Sequence, residues 1–257
     1  MPAYRAQATI AQSVRSALNQ TVEELEVIVV DDGSPEPVAD ALRDVTDPRL
    51  RILRHDRNRK APAARNTALR AARAPFVSQL DADDLWEPDY LEHVLPRLED
   101  PSVGLVYANC HIEGHPFGHD TYVVETSVHP MYQFPKIAEQ NPVPALTATM
   151  RRDAVLAVGG YAEWLWVCDD YHLYMKLARA GWRFDYVDRM LATYRWPQAE
   201  RGQSFDRAAA EVDELKMFLG FVLRHPLTPG PRRQARTRLR RELERRRQEM
   251  RGWLRPI

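Results

Sequence analysis

The stretch FVSQLDADDLWEPDYL, residues 76–91, decides the fold class of this 257-residue chain. An apolar run ends in three aspartates, Asp81, Asp83 and Asp84, and a helical pattern follows from Pro88. A short apolar strand that runs into polar residues and then into a helix is typical of α/β proteins with parallel strands. Carboxylates this close repel one another unless a positive charge or water lies between them. The stretch therefore predicts the edge of a sheet and a site that holds a cation.

Strands and helices alternate on both sides of this stretch. The β-branched run in LEVIVVDDGS is typical of a buried parallel strand, and it ends in Asp31 and Asp32. Right-handed crossovers place the carboxyl ends of parallel strands at one edge of a sheet, so both acid groups should face one crevice. We therefore expect an α/β fold with a Rossmann-like, mostly parallel sheet flanked by helices. Further strands are predicted at RLRILRH and VGLVYAN, and further helices at APAARNTALRAARA and PDYLEHVLPRL.

The pattern weakens between residues 110 and 150 and then resumes. DDYHLYMKLARAG predicts an amphipathic helix from Asp169 to a stop at Gly181, and RFDYVDRMLATYRW predicts β structure. Residues 230–257 hold eleven Arg and three Glu, so we expect a basic, helical C-terminal extension. Such a helix either binds anionic headgroups and acidic polymers or is solvated and carries Arg–Glu pairs.

The composition disfavours several classes of protein. The 36 basic and 36 acidic residues give a formal net charge of zero, which does not indicate nucleic-acid binding by the whole chain. Cys110 and Cys168 provide no disulfide framework, and we expect them as small packed residues in a reducing compartment. No signal-peptide pattern and no apolar run of about 20 residues is recognisable, so a cytoplasmic protein is expected.

The spacing of Asp81 and Asp83 suits a divalent cation. Two Asp separated by one residue at a strand end can direct oxygens toward one ion, and Mg²⁺ usually takes one or two protein carboxylates together with phosphates and water. Such an ion neutralises charge that develops on a diphosphate leaving group. The alternative is a solvated turn in which one Asp caps the next helix. Three acids in four residues, with a second acid pair at the same edge, favour the metal site.

Five motifs, in this order, resemble the family 2 glycosyltransferases, which are inverting enzymes of the GT-A fold. They are MPAY, VIVVDDGS, APAARNTAL, FVSQLDADDLWEPDYL and GGYAEWLWVCDDYHLYMKLARAGW, and the resemblance covers about residues 1–196. It implies a nucleotide-sugar donor, usually a UDP-sugar, and a divalent cation, Mn²⁺ or Mg²⁺. It also implies a glycosyltransferase domain over residues 1–198, with a nucleotide and metal half at 1–109 and an acceptor half at 110–198, before the extension at 199–257.

The resemblance assigns roles to residues of the donor half. The PAY loop and the second acid of DDGS would hold the nucleobase. The first acid of the DAD triplet would lie near the ribose and the metal, and the last would ligate the metal directly. The Arg of ARN would lie close to the site. The residues with these implied roles are Pro2, Tyr4, Asp32, Arg65, Asp81 and Asp83.

The resemblance places the catalytic base at Asp170, in VCDDYHL. The family more often has Glu-Asp there, so Asp169 replaces a Glu and retains its charge. A carboxylate at the start of a helix is held rigidly and can take the proton of an acceptor hydroxyl. A plain helix cap, stabilised by the helix dipole, is the alternative role for Asp170.

Weaker candidates follow from aromatic and His residues. Trp164 and Trp166 precede the expected base and, with Asp169, are acceptor-side candidates; their rings either stack on an acceptor sugar or pack in the core. Trp86 is expected to pack. The residues His111, His115 and His119 recur every four positions, but the Gly and Pro between them favour a loop over a metal-binding helix.

The start of the chain departs from the resembled family. Its members carry an apolar strand before the PAY loop, whereas this chain has Met1 alone. Because that strand lies centrally in a doubly wound sheet, its neighbours would keep unpaired ladder groups without it. We therefore expect the first strand to be missing from this chain and the natural start to lie upstream.

These observations favour an inverting, metal-dependent glycosyltransferase. The resemblance alone implies use in envelope polysaccharide or glycolipid synthesis, with a saccharide or lipid-linked acceptor. The Arg-rich extension would then allow peripheral contact with the inner face of the membrane. A nucleotide-sugar-binding homologue or subunit without turnover is the alternative. A dehydrogenase and a P-loop phosphotransferase are disfavoured because neither glycine-rich phosphate motif is present.

Overall fold

The computed structural model describes residues 1–114, 121–122, 137, 141–196, 212 and 215–219. His115, His119 and the Arg-rich stretch from residue 230 lie outside these ranges, so the expectations about them stay predictions. Among the helices that the structure describes, none is both long and apolar enough to cross a membrane.

Three parallel strands form the first sheet. They are β1 (Pro2–Ala3), β2 (Val27–Asp31) and β3 (Leu50–Arg54), in this order. All five residues of β2 are buried, which explains why its β-branched run lacks polar alternation. The helices that connect and flank these strands are α1 (Ile10–Leu18), α2 (Val38–Ala41) and α3 (Ala61–Ala71). The βαβ order expected from the sequence is confirmed.

The first strand is short rather than missing. Pro2–Ala3 pair in parallel with β2, and the backbone N–H groups of Val30 and Asp32 donate to the carbonyls of Met1 and Ala3 at 2.9 and 2.8 Å. This two-residue strand covers only the last two residues of β2, Val30 and Asp31, and the expectation that the natural start lies upstream stays a prediction. Pro2–Ala3 accordingly belong to a strand and not to a loop.

A second, six-stranded sheet is mixed. Its strands are β4 (Phe76–Ser78), β5 (Leu85–Trp86), β6 (Val103–Glu113), β7 (Thr121–Tyr122), β8 (Thr149–Arg151) and β9 (Arg183–Arg195). The order is β4-β8-β6-β9-β5, with β7 paired to β6. The pair β6 and β9 is parallel, and the other pairs are antiparallel. The parallel sheet expected from the sequence is thus the first one alone. The expectation that β4 and β6 would belong to it is wrong, because both lie in the second sheet, where β4 is antiparallel to β8.

The later helices position the second half of the site. They are α4 (Tyr90–Val94), which continues into a 3-10 turn at Leu95–Glu99, then α5 (Arg152–Ala157) and α6 (Asp169–Arg179). The helix α6 begins at Asp169, as predicted. The ammonium of Lys176 in α6 donates to the carbonyls of Val158 and Gly160, just after α5. These bonds hold α6 against the end of α5.

The helix α3 packs against both halves of the molecule. Ala64 contributes to a buried cluster with Ile28 and Val30 of β2. Leu69, one turn further along α3, belongs to the large apolar cluster that surrounds α6 and β6. The residues of α3 that lie between these two contacts are therefore placed where the two sheets meet.

Candidate active site

The guanidinium of Arg65, in the second turn of α3, joins acids that lie far apart in the sequence. Its Nη1 donates to both carboxylate oxygens of Asp169 at 2.9 and 2.8 Å, and its Nη2 donates to both oxygens of Asp81 at 2.8 and 3.1 Å. Burial opposes the positive charge, but Asp169 and Asp81 outweigh it and hold the pKa of Arg65 well above its usual value. The acid after β4 and the first turn of α6 therefore form one site.

The aspartates that follow β4 have three different environments. Asp81 is held by Arg65. Asp84 is 2% exposed, and its Oδ1 accepts the backbone N–H of Arg195 at 2.9 Å. Burial, together with the charges of Asp81 and Asp83, raises the pKa of Asp84 well above its usual value. None of the three caps α4, because that helix begins at Tyr90. The capping alternative is therefore wrong for Asp81, Asp83 and Asp84, since the N-cap position of α4 is held by Asp89.

Asp83 is the acid best placed to bind a cation. Asp83 is an exposed residue. The chain around its carboxylate nevertheless reduces the access of water, and this desolvation, together with the charge of Asp81, raises the pKa of Asp83 to about 6. In the part of the chain that the structure describes, no three His, Cys, Asp or Glu side chains converge as a metal cage. A divalent cation can nevertheless take one or two carboxylates and complete its shell with phosphate and water. Asp83 with Asp81 beside it fits such an ion, which would relieve the repulsion between them.

The carboxylate of Asp32 organises the loop that leads into α3. Its two oxygens accept the backbone N–H of Arg59 at 2.9 and 3.1 Å, and Oδ1 lies 2.7 Å from Nδ1 of His55. Nε2 of His55 lies 2.9 Å from Oγ1 of Thr67 in α3. Asp32 therefore holds the start of α3 relative to β2. Its nucleobase role, implied by the resemblance, stays a prediction.

Pro2 is the first residue of β1, and Tyr4 follows the carboxyl end of that strand, beside the loop after β2. Tyr4 is 44% exposed, and the guanidinium carbon of Arg5 lies 5.3 Å from its ring centre. The backbone N–H of Arg5 donates to Oγ of Ser34 at 3.0 Å, which ties the two loops together. An exposed ring at this edge of a parallel sheet is where α/β folds bind ligands.

The first turn of α6 carries Asp169 and Asp170. Cys168 occupies the N-cap position with φ of 63°, a left-handed conformation uncommon for a residue with a side chain. Burial and the negative charge of Asp169 raise the pKa of Asp170 to about 6. Asp170 is the second residue of the helix and not its N-cap, but its Oδ1 accepts the backbone N–H of Tyr171 at 2.7 Å, so it does satisfy a donor of the first turn. Asp170 is also a partly buried carboxylate beside an ion pair, and its role as the base stays a prediction.

Trp164 and Trp166 lie at the surface beside α6. They are 41% and 37% exposed, so packing in the core does not account for them. The ring of Trp164 meets His172 edge-on with centres 5.5 Å apart, and Nζ of Lys60 lies 4.5 Å from the ring centre of Trp166. Trp86, in contrast, packs as predicted, since it is partly buried against two apolar clusters. Its Nε1 also donates to the carbonyl of Leu146 at 2.7 Å.

The loop before α6 is fastened to α3 by Asn66. Its Nδ2 donates to the carbonyl of Tyr161 at 2.9 Å and to Oε1 of Glu163 at 3.0 Å, and its Oδ1 accepts the backbone N–H of Tyr161 at 2.8 Å. Nη2 of Arg59 lies 3.2 Å from Oε2 of Glu163. A Cβ at Gly160 would lie 2.5 Å from Oδ1 of Asn66, so this contact needs a glycine.

The residues that the sequence reasoning missed are the ones that hold the loops. His55, Asn66, Tyr161 and Glu163 stand inside motifs that were recognised, but their partners lie elsewhere in the chain. Asn66 and Glu163 are 97 positions apart. A hydrophobic pattern reports on neighbours within a strand or helix, so no local signal points to such a pair.

The sequence profile described as Glycosyl transferase family 2 matches residues 1–158 of this chain. The match includes β1 to β4 with their strand-end acids and extends through α5. The chain therefore belongs to glycosyl transferase family 2. The first turn of α6, with Asp169 and Asp170, follows the matched residues.

Two curated relatives from Escherichia coli make the comparison more specific. A UDP-Glc:alpha-D-GlcNAc-diphosphoundecaprenol beta-1,3-glucosyltransferase is 34% identical over 112 residues, which is 44% of this chain and 44% of the relative. A chondroitin synthase is 31% identical over 191 residues, which is 70% of this chain and 26% of the relative. The chain thus spans less than half the length of both relatives.

A solved structure shares the fold. The mannosyltransferase from Pyrobaculum calidifontis, in complex with GDP-Man and Mn²⁺, superposes with a TM-score of 0.70 at 24% identity, over 93% of this chain and 67% of that one. The GT-A fold expected from the sequence is confirmed.

Proposed function

We propose that this protein is an inverting glycosyltransferase that moves a sugar from a UDP-sugar to the hydroxyl of a saccharide or lipid-linked acceptor. The observation that carries the proposal is the ion pair network of Arg65. It brings Asp81, which follows β4, to the same guanidinium as Asp169. Asp169 is the neighbour of the candidate base Asp170. A donor site and a base in one crevice are what a single-displacement transfer requires.

The donor half, residues 1–109, would bind the nucleotide. The exposed ring of Tyr4 would stack on the base, with Pro2 and Asp32 framing the pocket. Asp81, held by Arg65, would lie near the ribose. Membership of the family and the UDP-Glc in the name of one relative support UDP as the nucleotide.

A divalent cation, Mn²⁺ or Mg²⁺, would be held by Asp83, with Asp81 beside it. When bound, it supplies positive charge that stabilises the departing diphosphate. The raised pKa of Asp83, about 6, supports this role because a cation would replace the proton as the partner of the carboxylate. The Mn²⁺ in the complex of the related mannosyltransferase is consistent with it.

Asp170 would act as the general base. Its pKa of about 6 leaves it ionised at neutral pH yet basic enough to accept a proton as the acceptor hydroxyl attacks the anomeric carbon. Attack from the face opposite the diphosphate breaks the bond to the leaving group in the same step, so the configuration inverts. Arg65 and Asp169 would hold this carboxylate in place without touching the acceptor.

The acceptor half, residues 110–198, would present Trp164 and Trp166 to the incoming sugar. Both rings are exposed beside α6, and aromatic faces pack well against sugar rings. The lipid-linked and polysaccharide products in the names of the two relatives support an acceptor of envelope polysaccharide or glycolipid type.

The extension at residues 199–257 would bring the cytoplasmic enzyme to a membrane-bound acceptor. Its last part, residues 230–257, has eleven Arg and three Glu, and such a surplus attracts anionic lipid surfaces. Flotation with vesicles that contain anionic lipid tests this. Loss of flotation on deletion of residues 230–257 is expected, and flotation that does not depend on them would contradict the proposal.

The function is tested by thermal melting followed by turnover. The full chain is melted with Mn²⁺ or Mg²⁺, alone and with UDP, GDP, CDP or dTDP, and a melting rise that needs both metal and UDP is expected. UDP release from UDP-sugars is then measured with saccharide and lipid-linked acceptors. Nucleotide binding without release would favour a non-catalytic homologue, and no rise with any nucleotide would overturn the proposal.

A further inference from the structure

The orientation of Arg65 is set by two carboxylates and by the ring of Tyr161, whose centre lies 5.8 Å from the guanidinium carbon. Only the two terminal nitrogens of its guanidinium make the ion pairs, one carboxylate to each. Its buried Nε finds no hydrogen-bond partner among the residues that the structure describes. A buried N–H donor without a partner costs free energy, and the bonds from each terminal nitrogen to both oxygens of one carboxylate offset that cost. Because a guanidinium is planar and rigid, it fixes Asp81 and Asp169 relative to each other.

Asp169 transmits this constraint to the candidate base. It is 3% exposed and is the first residue of α6, and Asp170 is the next. Its short side chain has few rotamers, so holding both carboxylate oxygens also holds the backbone of the first turn. Lys176 fixes the same helix further along, where it donates to the carbonyls of Val158 and Gly160. The end of α6 that carries Asp170 is thus anchored through Arg65.

We propose that Arg65 is a positioning residue: it couples the donor-side carboxylate Asp81 to the base Asp170, through Asp169, without contacting the reacting atoms. The inference rests on the proposed function, since it needs Asp170 to accept the proton. It predicts that Arg65 and Asp169 together fix the position of Asp170, and that they change its proton affinity in opposite directions.

The opposite dependence follows from the charges around Asp170. The positive charge of Arg65 favours its ionised form, and the negative charge of Asp169 disfavours it. The titratable groups that act on Asp170 or share its surroundings are Asp169 and Tyr174 on α6, Arg65 on α3, Asp81 after β4 and Tyr161 before α6. A residue that only supports the fold would change the amount of active enzyme and leave the proton affinity unchanged.

Three variants of the full chain separate these roles. Arg65→Gln removes the shared cation, Asp169→Asn keeps the shape of the side chain but removes its charge, and Arg70→Gln is the control on the exposed face of the same helix. We measure kcat, the donor KM and the acidic limb of kcat against pH at saturating metal and donor. Carbon NMR of Asp170, in protein labelled at the aspartate carboxyl carbons, reports its titration without turnover.

The expected result is a shift in opposite directions. In Arg65→Gln the midpoint of the acidic limb of kcat should shift to higher pH by about one unit or more. In the same variant kcat should fall about 100-fold because the base is displaced. In Asp169→Asn the midpoint of the acidic limb should shift to lower pH. Because Asn has the same shape as Asp, this variant tests the inference even if Arg65→Gln does not fold. Arg70→Gln matches the wild type.

Two results would overturn the inference. One is that the midpoint of the acidic limb of kcat, or the pKa of Asp170 from its NMR titration, stays within experimental error of the wild-type value in every folded variant. The other is a shift in the same direction for Arg65→Gln and Asp169→Asn. A wild type that binds UDP but never turns over contradicts the proposed function instead, and the NMR titration still decides whether Arg65 and Asp169 act on Asp170.

Discussion

The ammonium of Lys60 lies 4.5 Å from the ring centre of Trp166. Lys60 is the last residue before α3 and has φ of 74°, and Trp166 stands four residues before Asp170. A second link, between Arg59 and Glu163 at 3.2 Å, joins the same two loops. An ammonium over an indole contributes about 0.5–1 kcal/mol at an exposed site. These contacts hold the loop before α6 next to the donor half.

The first prediction concerns Trp166 as part of the acceptor surface. In Trp166→Ala the acceptor KM should rise about 10-fold, because one stacked aromatic face is lost. Donor KM and UDP affinity should change by less than about twofold, since the donor residues are untouched. Initial-rate kinetics with each substrate varied in turn separates the two constants.

The control is Leu156→Ala, which removes another exposed apolar side chain, on α5 and outside the site. It should leave both Michaelis constants at wild-type values. If Trp166→Ala weakens donor binding as much as acceptor binding, the ring serves the fold of the site and not the acceptor.

The second prediction is the pH dependence of transfer. The pKa of Asp170 is about 6, and only its ionised form can accept a proton. At saturating metal and donor, kcat should therefore be flat above about pH 7 and fall about tenfold per unit below pH 6. In Asp170→Asn, kcat should drop between 10²- and 10⁴-fold while UDP affinity is kept. An active Asp170→Asn enzyme with the same acidic limb would remove Asp170 as the base.

The third prediction concerns the cation at Asp83. Mn²⁺ with UDP should raise the melting temperature of the wild type and of the control Asp44→Asn, whose acid is exposed and lies before β3. Asp83→Asn should lose the metal-dependent part of this stabilisation, which is worth about 2.7 kcal/mol when the free ligand is at 100 times its Kd. Because protons compete with the cation for the Asp83 carboxylate, whose pKa is about 6, the metal-dependent stabilisation of the wild type should be smaller at pH 5.5 than at pH 7.5. Full stabilisation of Asp83→Asn would place the ion elsewhere.

The fourth prediction separates Asp84 from its two neighbours. Burial, with the charges of Asp81 and Asp83, raises the folded-state pKa of Asp84 above its unfolded value of about 4. The unfolded chain therefore ionises first, and this group lowers stability as pH rises through the range between the two pKa values. In EDTA, Asp84→Asn should gain stability over the wild type across that range. Urea titrations at several pH values measure the difference.

The control for Asp84 is Asp84→Ala. Asn keeps an oxygen that can accept the backbone N–H of Arg195, whereas Ala leaves that N–H without its partner, at a cost of about 1–3 kcal/mol. A gain for both variants would mean that the hydrogen bond to Arg195 contributes nothing.

Local structure followed closely from the sequence. The buried β2, the start of α6 at Asp169 and the placement of Pro62 near the start of α3 all depend on patterns within a few residues. Crowding of the acids after β4 also predicted a positive charge between them. The structure shows that the protein supplies part of that charge itself, through Arg65.

The pairings between distant segments did not follow from the sequence. Arg65 and Asp169 are 104 positions apart, and β8 enters the second sheet between β4 and β6. Each contact depends on how whole elements pack, which a hydrophobic period does not report. The separate roles of Asp81, Asp83 and Asp84 were hidden for the same reason, since their partners come from α3 and β9.

The last prediction tests the joint between α5 and the loop before α6. Gly159 and Gly160 both have positive φ, 81° and 63°, so an alanine at either position costs about 1–2 kcal/mol of backbone strain. A Cβ at Gly159 meets open space, whereas one at Gly160 would lie 2.5 Å from Oδ1 of Asn66. Gly160→Ala should therefore lose about 1–3 kcal/mol more than Gly159→Ala, because it also displaces the hydrogen bonds of Asn66 to Tyr161. Urea unfolding followed by circular dichroism gives both values. Asn66 fastens the loop that carries Trp164 and Trp166, so the acceptor KM should rise in Gly160→Ala and stay constant in Gly159→Ala. If the two substitutions have equal effects on stability and on acceptor KM, the connection between α5 and the loop before α6 does not depend on Asn66.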